Sequence, residues 1–123
     1  VITMQVEQTG GIADCIFCKI AAGEIPTRKV YEDDAVLAFH DVNPKAEVHF
    51  LLIPKQHVVS LAHCSADDEA MLGQLMLLVP RLAAEQGLSN GFKTAINTGR
   101  GGGQEVFHLH VHVYACRIDW PCY

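Results

Sequence analysis

Three histidines alternate with apolar residues in the run 107–113, which reads Phe-His-Leu-His-Val-His-Val. Successive side chains of a β-strand point to opposite faces. We therefore expect His108, His110 and His112 on one face of a strand and the apolar residues between them in the core. Sheet stability gives no reason to align titratable rings in this way, so the pattern favours a functional site over a row of surface residues. Imidazoles can serve as nucleophiles, proton donors or metal ligands, and the run alone leaves these uses open.

The composition of the 123-residue chain fits a single domain, expected over 14–123 after a flexible lead-in at 1–13. Half of the residues are hydrophobic, which argues against disorder. The 9 basic and 14 acidic residues give a net charge of −5, which argues against a nucleic-acid-binding surface. Neither an apolar run of roughly 18 residues nor a secretory signal pattern is apparent. We therefore expect a cytoplasmic protein with neither nucleic acid nor membrane as a partner.

The five cysteines are an odd number in a chain with enough apolar residues to fold without disulfides. We therefore expect all of them to be thiols. They are Cys15, Cys18, Cys64, Cys116 and Cys122.

The order of local patterns predicts an α+β fold. Asp14 is expected to cap a short helix that reaches about Ala22. Ser65 and Asp68 form a capping signature before a long amphipathic helix that ends near Gly87. Tight turns between neighbouring strands favour an antiparallel sheet with both helices packed on it. The strands are expected at 30–32, 36–40, 49–53, 92–97 and the histidine run.

The long helix is predicted from apolar residues at helical spacing. Pro80 falls inside this pattern, where it removes a backbone donor and should kink the helix. The apolar stripe consists of Leu72, Leu75, Met76, Val79, Leu82 and Ala83.

The loop 98–104 contains four glycines and leads into the histidine run. Glycine lets backbone N–H groups approach an anion closely. A loop of this composition is otherwise a flexible turn. Its position beside the histidines favours a phosphate-binding role.

In their order and spacing these segments resemble the histidine triad (HIT) family, and within it the histidine triad nucleotide-binding proteins. The resemblance extends from Asp14 to about Pro121 and rests on 14–20, 39–44, 49–57, Asn97, 102–104 and the triad itself. It implies a five-stranded antiparallel sheet with one long and one short helix, and a homodimer that joins two sheets into ten strands. It also implies a purine-nucleotide site that hydrolyses adenosine 5′-monophosphoramidates to AMP and an amine.

The resemblance assigns roles to three histidines. His110 corresponds to the nucleophile, which would attack the α-phosphorus and form a covalent nucleotidyl-histidine that water then cleaves. His112 corresponds to a residue that hydrogen-bonds the phosphate or leaving group, and His49 to a fourth histidine that faces the same site. Two displacements avoid forcing water against a poor leaving group, and this scheme requires no metal for catalysis.

The resemblance also implies a set of nucleotide contacts. Asp41 corresponds to the acceptor of the ribose hydroxyls. Glu105 stands where some members carry Ser, and its carboxylate would either repel the phosphate or receive a cationic amine. The phosphate contacts implied are Asn97, Gly103 and Gln104, and the purine and ribose pocket is Phe17, Ile20, Ile25, Phe39, Val42 and Leu51.

Some members of this branch hold structural zinc with a Cys-x-x-C pair and two histidines. The corresponding residues are Cys15, Cys18, His57 and His108, a Cys2His2 set that suits tetrahedral zinc. In that case His108 is structural and not catalytic. The alternative is a pair of reduced, partly buried thiols. Trp120-Pro121 resembles a C-terminal pair that reaches towards the site of the partner subunit.

Two functions of other classes stay open. The alternating histidines could hold a catalytic metal with an open position, as in a metallohydrolase. The chain could also be a nucleotide-sensing module whose hydrolysis is incidental. Within the same family, a dinucleoside-polyphosphate hydrolase is a nearer alternative, but 14–20 and Trp120-Pro121 argue against it.

Overall fold

The computed structural model describes residues 14–122, and the lead-in expected at 1–13 lies outside them. The five strands pair antiparallel throughout, in the order β1-β2-β3-β5-β4. This arrangement confirms the five-stranded antiparallel sheet with one short and one long helix. Within the described residues, none of the helices has the length and apolar character required to span a bilayer. The elements are α1 (Ile16–Ala21), β1 (Lys29–Glu32), β2 (Val36–His40), β3 (Val48–Pro54), α2 (Glu69–Glu85), β4 (Lys93–Ala95) and β5 (Val111–Ala115).

Both faces of the sheet are covered, and the alternation of side chains decides which helix each residue meets. Val36 and Ala38 of β2 belong to the same apolar cluster as the buried side of α2. Leu37 and Phe39 point the other way and join Phe17 of α1. All residues of β3 are buried, because the strand is central and apolar groups pack on both of its sides.

The N-terminal cap of α1 differs from the prediction by one residue. Cys15 has extended backbone angles, and its Sγ accepts a hydrogen bond from the Cys18 N–H at 3.3 Å. Asp14 is therefore not the cap. The consequence is that one cysteine of the C-x-x-C pair both starts the helix and points its sulfur into the protein.

The capping signature before the long helix is confirmed, but it encloses a separate turn. The Ser65 hydroxyl accepts from the Asp67 N–H, and the Asp68 carboxylate accepts from the Ser65 N–H. These bonds close a 3₁₀ turn at Ala66–Asp68, and α2 follows from Glu69.

The buried stripe of α2 differs from the prediction at positions 76 and 78, and the predicted Leu72 is only half-buried. Leu78 is buried, whereas Met76 is 39% exposed. Starting from Leu75, the i+3 and i+4 positions are Leu78 and Val79, so Met76 falls beside the stripe and not on it. Pro80 lies on the exposed side and the helix continues through it to Glu85.

The histidine strand is shorter than predicted. β5 begins at Val111, and 107–110 lie outside the sheet. The reason is that the Leu109 N–H donates to the Val58 carbonyl at 2.6 Å instead of to a neighbouring strand. The alternation nevertheless continues, because Leu109, Val111 and Val113 all enter the core on the α2 face.

The expectation that every cysteine is a thiol was wrong for Cys116 and Cys122, which form a disulfide. The chain bends at 117–120 after β5, and the two Cα atoms come within 5.5 Å. Cys15, Cys18 and Cys64 are free. An odd number of cysteines does not exclude a disulfide, because two of them can pair while the other three stay thiols.

Candidate active site

Three of the predicted site histidines lie together on the α1 face of the sheet. His112 lies on β5 opposite Leu51, and His49 lies on β3 opposite Tyr114. His110 lies one residue before β5, and its ring centroid is 4.9 Å from that of His112. The histidine and tyrosine positions of β3 and β5 therefore build a polar patch on a face that is otherwise apolar.

The hydrogen bond of His110 fixes which of its ring nitrogens is free. Its Nδ1 lies 2.7 Å from the His108 carbonyl oxygen. A carbonyl can only accept, so Nδ1 carries the proton and Nε2 of the neutral ring has the lone pair. Burial lowers the pKa of His110, although the bond to His108 and the charge of Asp41 oppose this shift. The ring is therefore neutral at pH 7, with Nε2 available as a nucleophile.

His49 and His112 form a relay with the opposite polarity. The Lys45 N–H donates to His49 Nδ1 at 3.0 Å, so the neutral His49 ring carries its proton on Nε2. That atom lies 3.0 Å from His112 Nδ1 and donates to it. His112 consequently carries its own proton on Nε2. Burial, with smaller contributions from His110 and His49, lowers the pKa of His112 to about 4, which keeps it a neutral donor at pH 7.

Asp41 lies beside this relay. Its Oδ1 accepts from the Asn43 N–H at 2.8 Å, and its Oδ2 is 3.4 Å from His49 Nε2. One potential metal-ligand atom from each of Asp41, His49 and His112 lies within 4.8 Å of the other two, close enough to share a metal ion. However, the bond from Lys45 leaves the only free nitrogen of His49 protonated. The set fits a hydrogen-bond relay better than a metal site.

A cleft of about 460 Å³ opens beside the imidazoles, and one end of it is apolar. This volume falls in the range of small-molecule sites. Phe17 forms the boundary between the two ends, because its ring meets Phe39 on one side and His110 on the other, at 5.5 and 5.1 Å. Val42 borders the cleft but is 88% exposed. The predicted apolar residues that line it are Phe17, Ile20, Ile25, Phe39, Val42 and Leu51.

The other end of the cleft is polar. Asn97, Gly103 and Glu105 line it together with His110 and His112, and Asp41 also borders the cleft. All predicted nucleotide contacts except Gln104 are therefore brought to one cleft. His49 does not line it, because it is only 2% exposed, and reaches it through His112.

Gln104 holds the glycine loop instead of lining the cleft. Its Oε1 accepts from the Gly99 N–H at 2.8 Å, and its Nε2 donates to the carbonyls of Val59 and Val106 at 2.7 and 3.1 Å. Gly99 and Gly103 have φ of +69° and +81°, which glycine adopts without strain. The side chain of Gln104 is thus a positioning group for the loop.

Several cleft residues were not predicted. Lys45 is the only ammonium group among the described residues that line it. No sequence pattern distinguishes Lys45 from other loop lysines, and it is placed there because its N–H bonds to His49. A neighbouring hollow of about 540 Å³ shares five lining residues with the cleft, among them Asp41 and Val42, but neither His110 nor His112 lines it. In the cleft beside the imidazoles, the other lining residues that the sequence did not predict are Ile16, Pro26, Thr27, His40, Asn43 and Val106.

The predicted zinc ligands form a second cluster behind Phe17. Cys15 Sγ is 3.3 Å from His108 Nδ1, and Cys18 Sγ is 3.1 Å from His57 Nδ1. All four ligand atoms lie within 4.8 Å of one another. His108 donates its Nε2–H to the Pro54 carbonyl at 2.8 Å, so its lone pair on Nδ1 faces the sulfurs. This donor set and orientation fit tetrahedral zinc.

The protonation of this cluster follows from its burial. Burial raises the pKa of the Cys18 thiol to about 12, and the neighbouring Cys15 adds to the shift. Burial also lowers the pKa of His108 to about 4. Cys18 and His108 are thus uncharged at pH 7, and a bound cation would favour the thiolate of Cys18.

Comparisons with known proteins agree with this geometry. The family model described as HIT domain matches residues 22–117. The chain is 59% identical over 100 residues to protein HitA of Neisseria gonorrhoeae, a match that covers 81% of this chain and 94% of that protein. It is similar to the structure of a HIT family hydrolase from Legionella pneumophila Philadelphia 1, with a TM-score of 0.81, 41% identity and coverage of 87% and 97% of the two chains. A histidine triad protein from Clostridium difficile gives a TM-score of 0.82, 47% identity and coverage of 89% and 96%. The chain belongs to the HIT family.

Proposed function

We propose that this protein hydrolyses adenosine 5′-monophosphoramidates to AMP and an amine, as a member of the nucleotide-binding branch of the HIT family. Family membership, and a structural neighbour named as a HIT family hydrolase, support a hydrolase that binds nucleotides. The observation that carries the finer proposal is the hydrogen bond from His110 Nδ1 to the His108 carbonyl. It leaves a nucleophilic Nε2 at the polar end of a cleft of nucleotide size.

In the first step His110 Nε2 attacks the α-phosphorus, and the P–N bond to the amine breaks. The departing nitrogen takes up one proton from solvent, because the neutral His112 ring keeps its own proton and only hydrogen-bonds. The nucleotidylated ring of His110 is cationic because Nδ1 keeps its proton, and the His108 carbonyl stabilises that charge. The His112 Nε2–H is available for the phosphoryl oxygens or the departing nitrogen.

In the second step water attacks the phosphorus, and the bond between phosphorus and His110 Nε2 breaks. AMP and neutral His110 are regenerated, and water returns the proton that the amine consumed. His49 keeps His112 in the donor tautomer through both steps, because its Nε2–H occupies His112 Nδ1. The protein therefore contributes mainly position and charge stabilisation, as in other phosphoryl transfers.

The two ends of the cleft support binding of a purine nucleotide. The apolar end, with Phe17 and Phe39, suits a flat purine ring. Asp41 borders the cleft with its Oδ2 3.4 Å from His49 Nε2, and we propose that it also accepts from the ribose hydroxyls. The glycine loop at the polar end offers its backbone to the phosphate.

We also propose a structural zinc ion at Cys15, Cys18, His57 and His108. Zinc would supply the cross-link between α1 and the segment before β5, and the reaction would not pass through it. The lone pair of His108 already faces the sulfurs, which supports this proposal.

The resemblance leads us to propose a homodimer as well. Within residues 14–122, β4 is an edge strand with β5 as its single neighbour, and its other edge could pair with another copy. Leu77 on the outer side of α2 is 77% exposed, which gives the second copy an apolar contact.

The central prediction concerns a covalent adduct. Intact-protein mass spectrometry after a non-acidic quench with adenosine phosphoramidate should detect an added AMP mass in wild type and in His112→Ala. The adduct should be missing from His110→Ala, because no other lone pair in the cleft is held in that position. Chelator is present throughout, and His63→Gln, outside the cleft, serves as the matched control.

Two results of this experiment would contradict the mechanism. Turnover that persists in His110→Ala would show that another group attacks the phosphorus. Turnover that vanishes in chelator and returns with added metal, in a protein that also carries Cys18→Ala to remove the zinc cluster, would instead support the metallohydrolase, with the metal at Asp41, His49 and His112.

The acid limb of the pH dependence of kcat/KM should lie below the ordinary histidine pKa. Because the pKa of His112 is lowered to about 4 and burial also lowers that of His49, the neutral relay persists below the ordinary histidine pKa. We expect kcat/KM to hold at pH 6 and to fall as the pH approaches 4, after subtraction of the rate without enzyme. An acid limb centred at or above pH 6.5 would exclude this neutral relay.

Zinc binding should appear in thermal stability. One equivalent of zinc added to chelator-treated protein should raise Tm by more than about 10 °C, since binding to the folded state alone stabilises it. Cys18→Ala and His57→Ala should lose this increase, whereas Cys64→Ala should keep it. An unchanged Tm in wild type would leave the cluster as reduced thiols.

A further inference from the structure

The side chain of Gln104 anchors the backbone on both sides of Glu105. The Gln104 side chain is buried and bonded at both ends, and its Nε2 also donates to the Val106 carbonyl. The backbone before and after Glu105 is therefore anchored, while its own side chain is exposed and borders the cleft. The backbone of Glu105 thus has a defined place beside the cleft, and its carboxylate extends from it.

The Glu105 carboxylate has no partner among residues 14–122. Some carboxylates of the protein are paired, as Glu32 is with Lys29 and Lys55 at 2.7 Å, and Glu47 with Arg117 at 3.2 Å. No hydrogen bond or ion pair of this kind joins Glu105 to the described chain. Its charge is consequently available to a bound molecule.

The charge balance of the cleft favours a cationic group as the partner of the Glu105 carboxylate. The ionised side chains that line it are Asp41, Glu105 and Lys45, one more carboxylate than ammonium. Burial lowers the pKa of the lining histidines His40 and His112, so they add no positive charge at pH 7. A nucleotide phosphate in this cleft brings further negative charge, and only a cation on the rest of the substrate would offset it.

We propose that Glu105 selects phosphoramidates whose departing amine carries a second, cationic group. This inference rests on the proposed function and names the leaving group of that reaction. The purine occupies the apolar end and the phosphate meets His110, so the departing amine is the part of the substrate left to meet Glu105. An ammonium a few bonds from the P–N bond would pair with the free carboxylate, and an anionic amine would be repelled.

The test compares three adenosine 5′-phosphoramidates of similar size. Their amines are 1,3-diaminopropane, with a distal ammonium, butylamine, which is neutral, and β-alanine, with a distal carboxylate. In wild type, kcat/KM should favour the diamine conjugate over the butylamine conjugate by about three- to fivefold beyond the ratio in Glu105→Gln. The comparison between enzymes removes the intrinsic reactivity of each amine, because the same conjugates are used in both.

Two further variants sharpen the result. Glu105→Lys should move the preference towards the β-alanine conjugate, and Glu85→Gln, which removes an equal charge far from the cleft, should keep the wild-type ratio. The wild-type preference should also shrink with added salt, as expected for a partly exposed ion pair. Circular dichroism melting shows that each variant is folded.

The failures of the two proposals are distinguishable. Equal ratios in wild type and Glu105→Gln, with hydrolysis intact, would overturn the role of Glu105 and leave the phosphoramidase standing. A wild-type protein that cleaves none of the three conjugates would overturn the proposed function and this inference with it.

Discussion

Backbone groups hold one ring nitrogen of each of three buried histidines, and this decides what the other nitrogen can do. The His108 carbonyl takes the Nδ1–H of His110, the Pro54 carbonyl faces Nε2 of His108, and the Lys45 N–H occupies Nδ1 of His49. A buried imidazole without such a partner would cost folding free energy, so these bonds are also required for stability. The same hydrogen bonds thus provide partners for the buried ring nitrogens and determine whether the other nitrogen of each ring carries a proton or a lone pair.

Neighbouring histidines differ in what their second ring nitrogen offers, although they recur at a regular spacing in the sequence. His108 presents its lone pair to two cysteines, His110 presents one to the cleft, and His112 presents a proton. The sheet supplies the rigidity for this separation, because β3 is buried on both faces and β5 on its α2 face. The proposed chemistry therefore depends on apolar packing on both faces as much as on the polar residues themselves.

The periodicity of the sequence predicted the elements, and the segments of the family resemblance predicted most of the cleft. Apolar runs bounded by turn residues identified the strands at 36–40 and 49–53, and the apolar stripe identified α2. Sequence pattern did not reveal the early end of the pairing at Val111, the Cys15 cap or the disulfide of Cys116 and Cys122. Each of these depends on contacts of the backbone or on a bend of the chain, which the identity of a side chain does not report.

Nitrogen-15 long-range correlation spectra of the histidine rings at pH 7 test the central claim most directly. We predict that His110 is protonated on Nδ1 and free on Nε2, and that His112 is protonated on Nε2. The assignment of signals uses His110→Ala and His112→Ala. A His110 ring protonated on Nε2, or a cationic His112 at this pH, would contradict the account, because the nucleophile and the donor would then be lost.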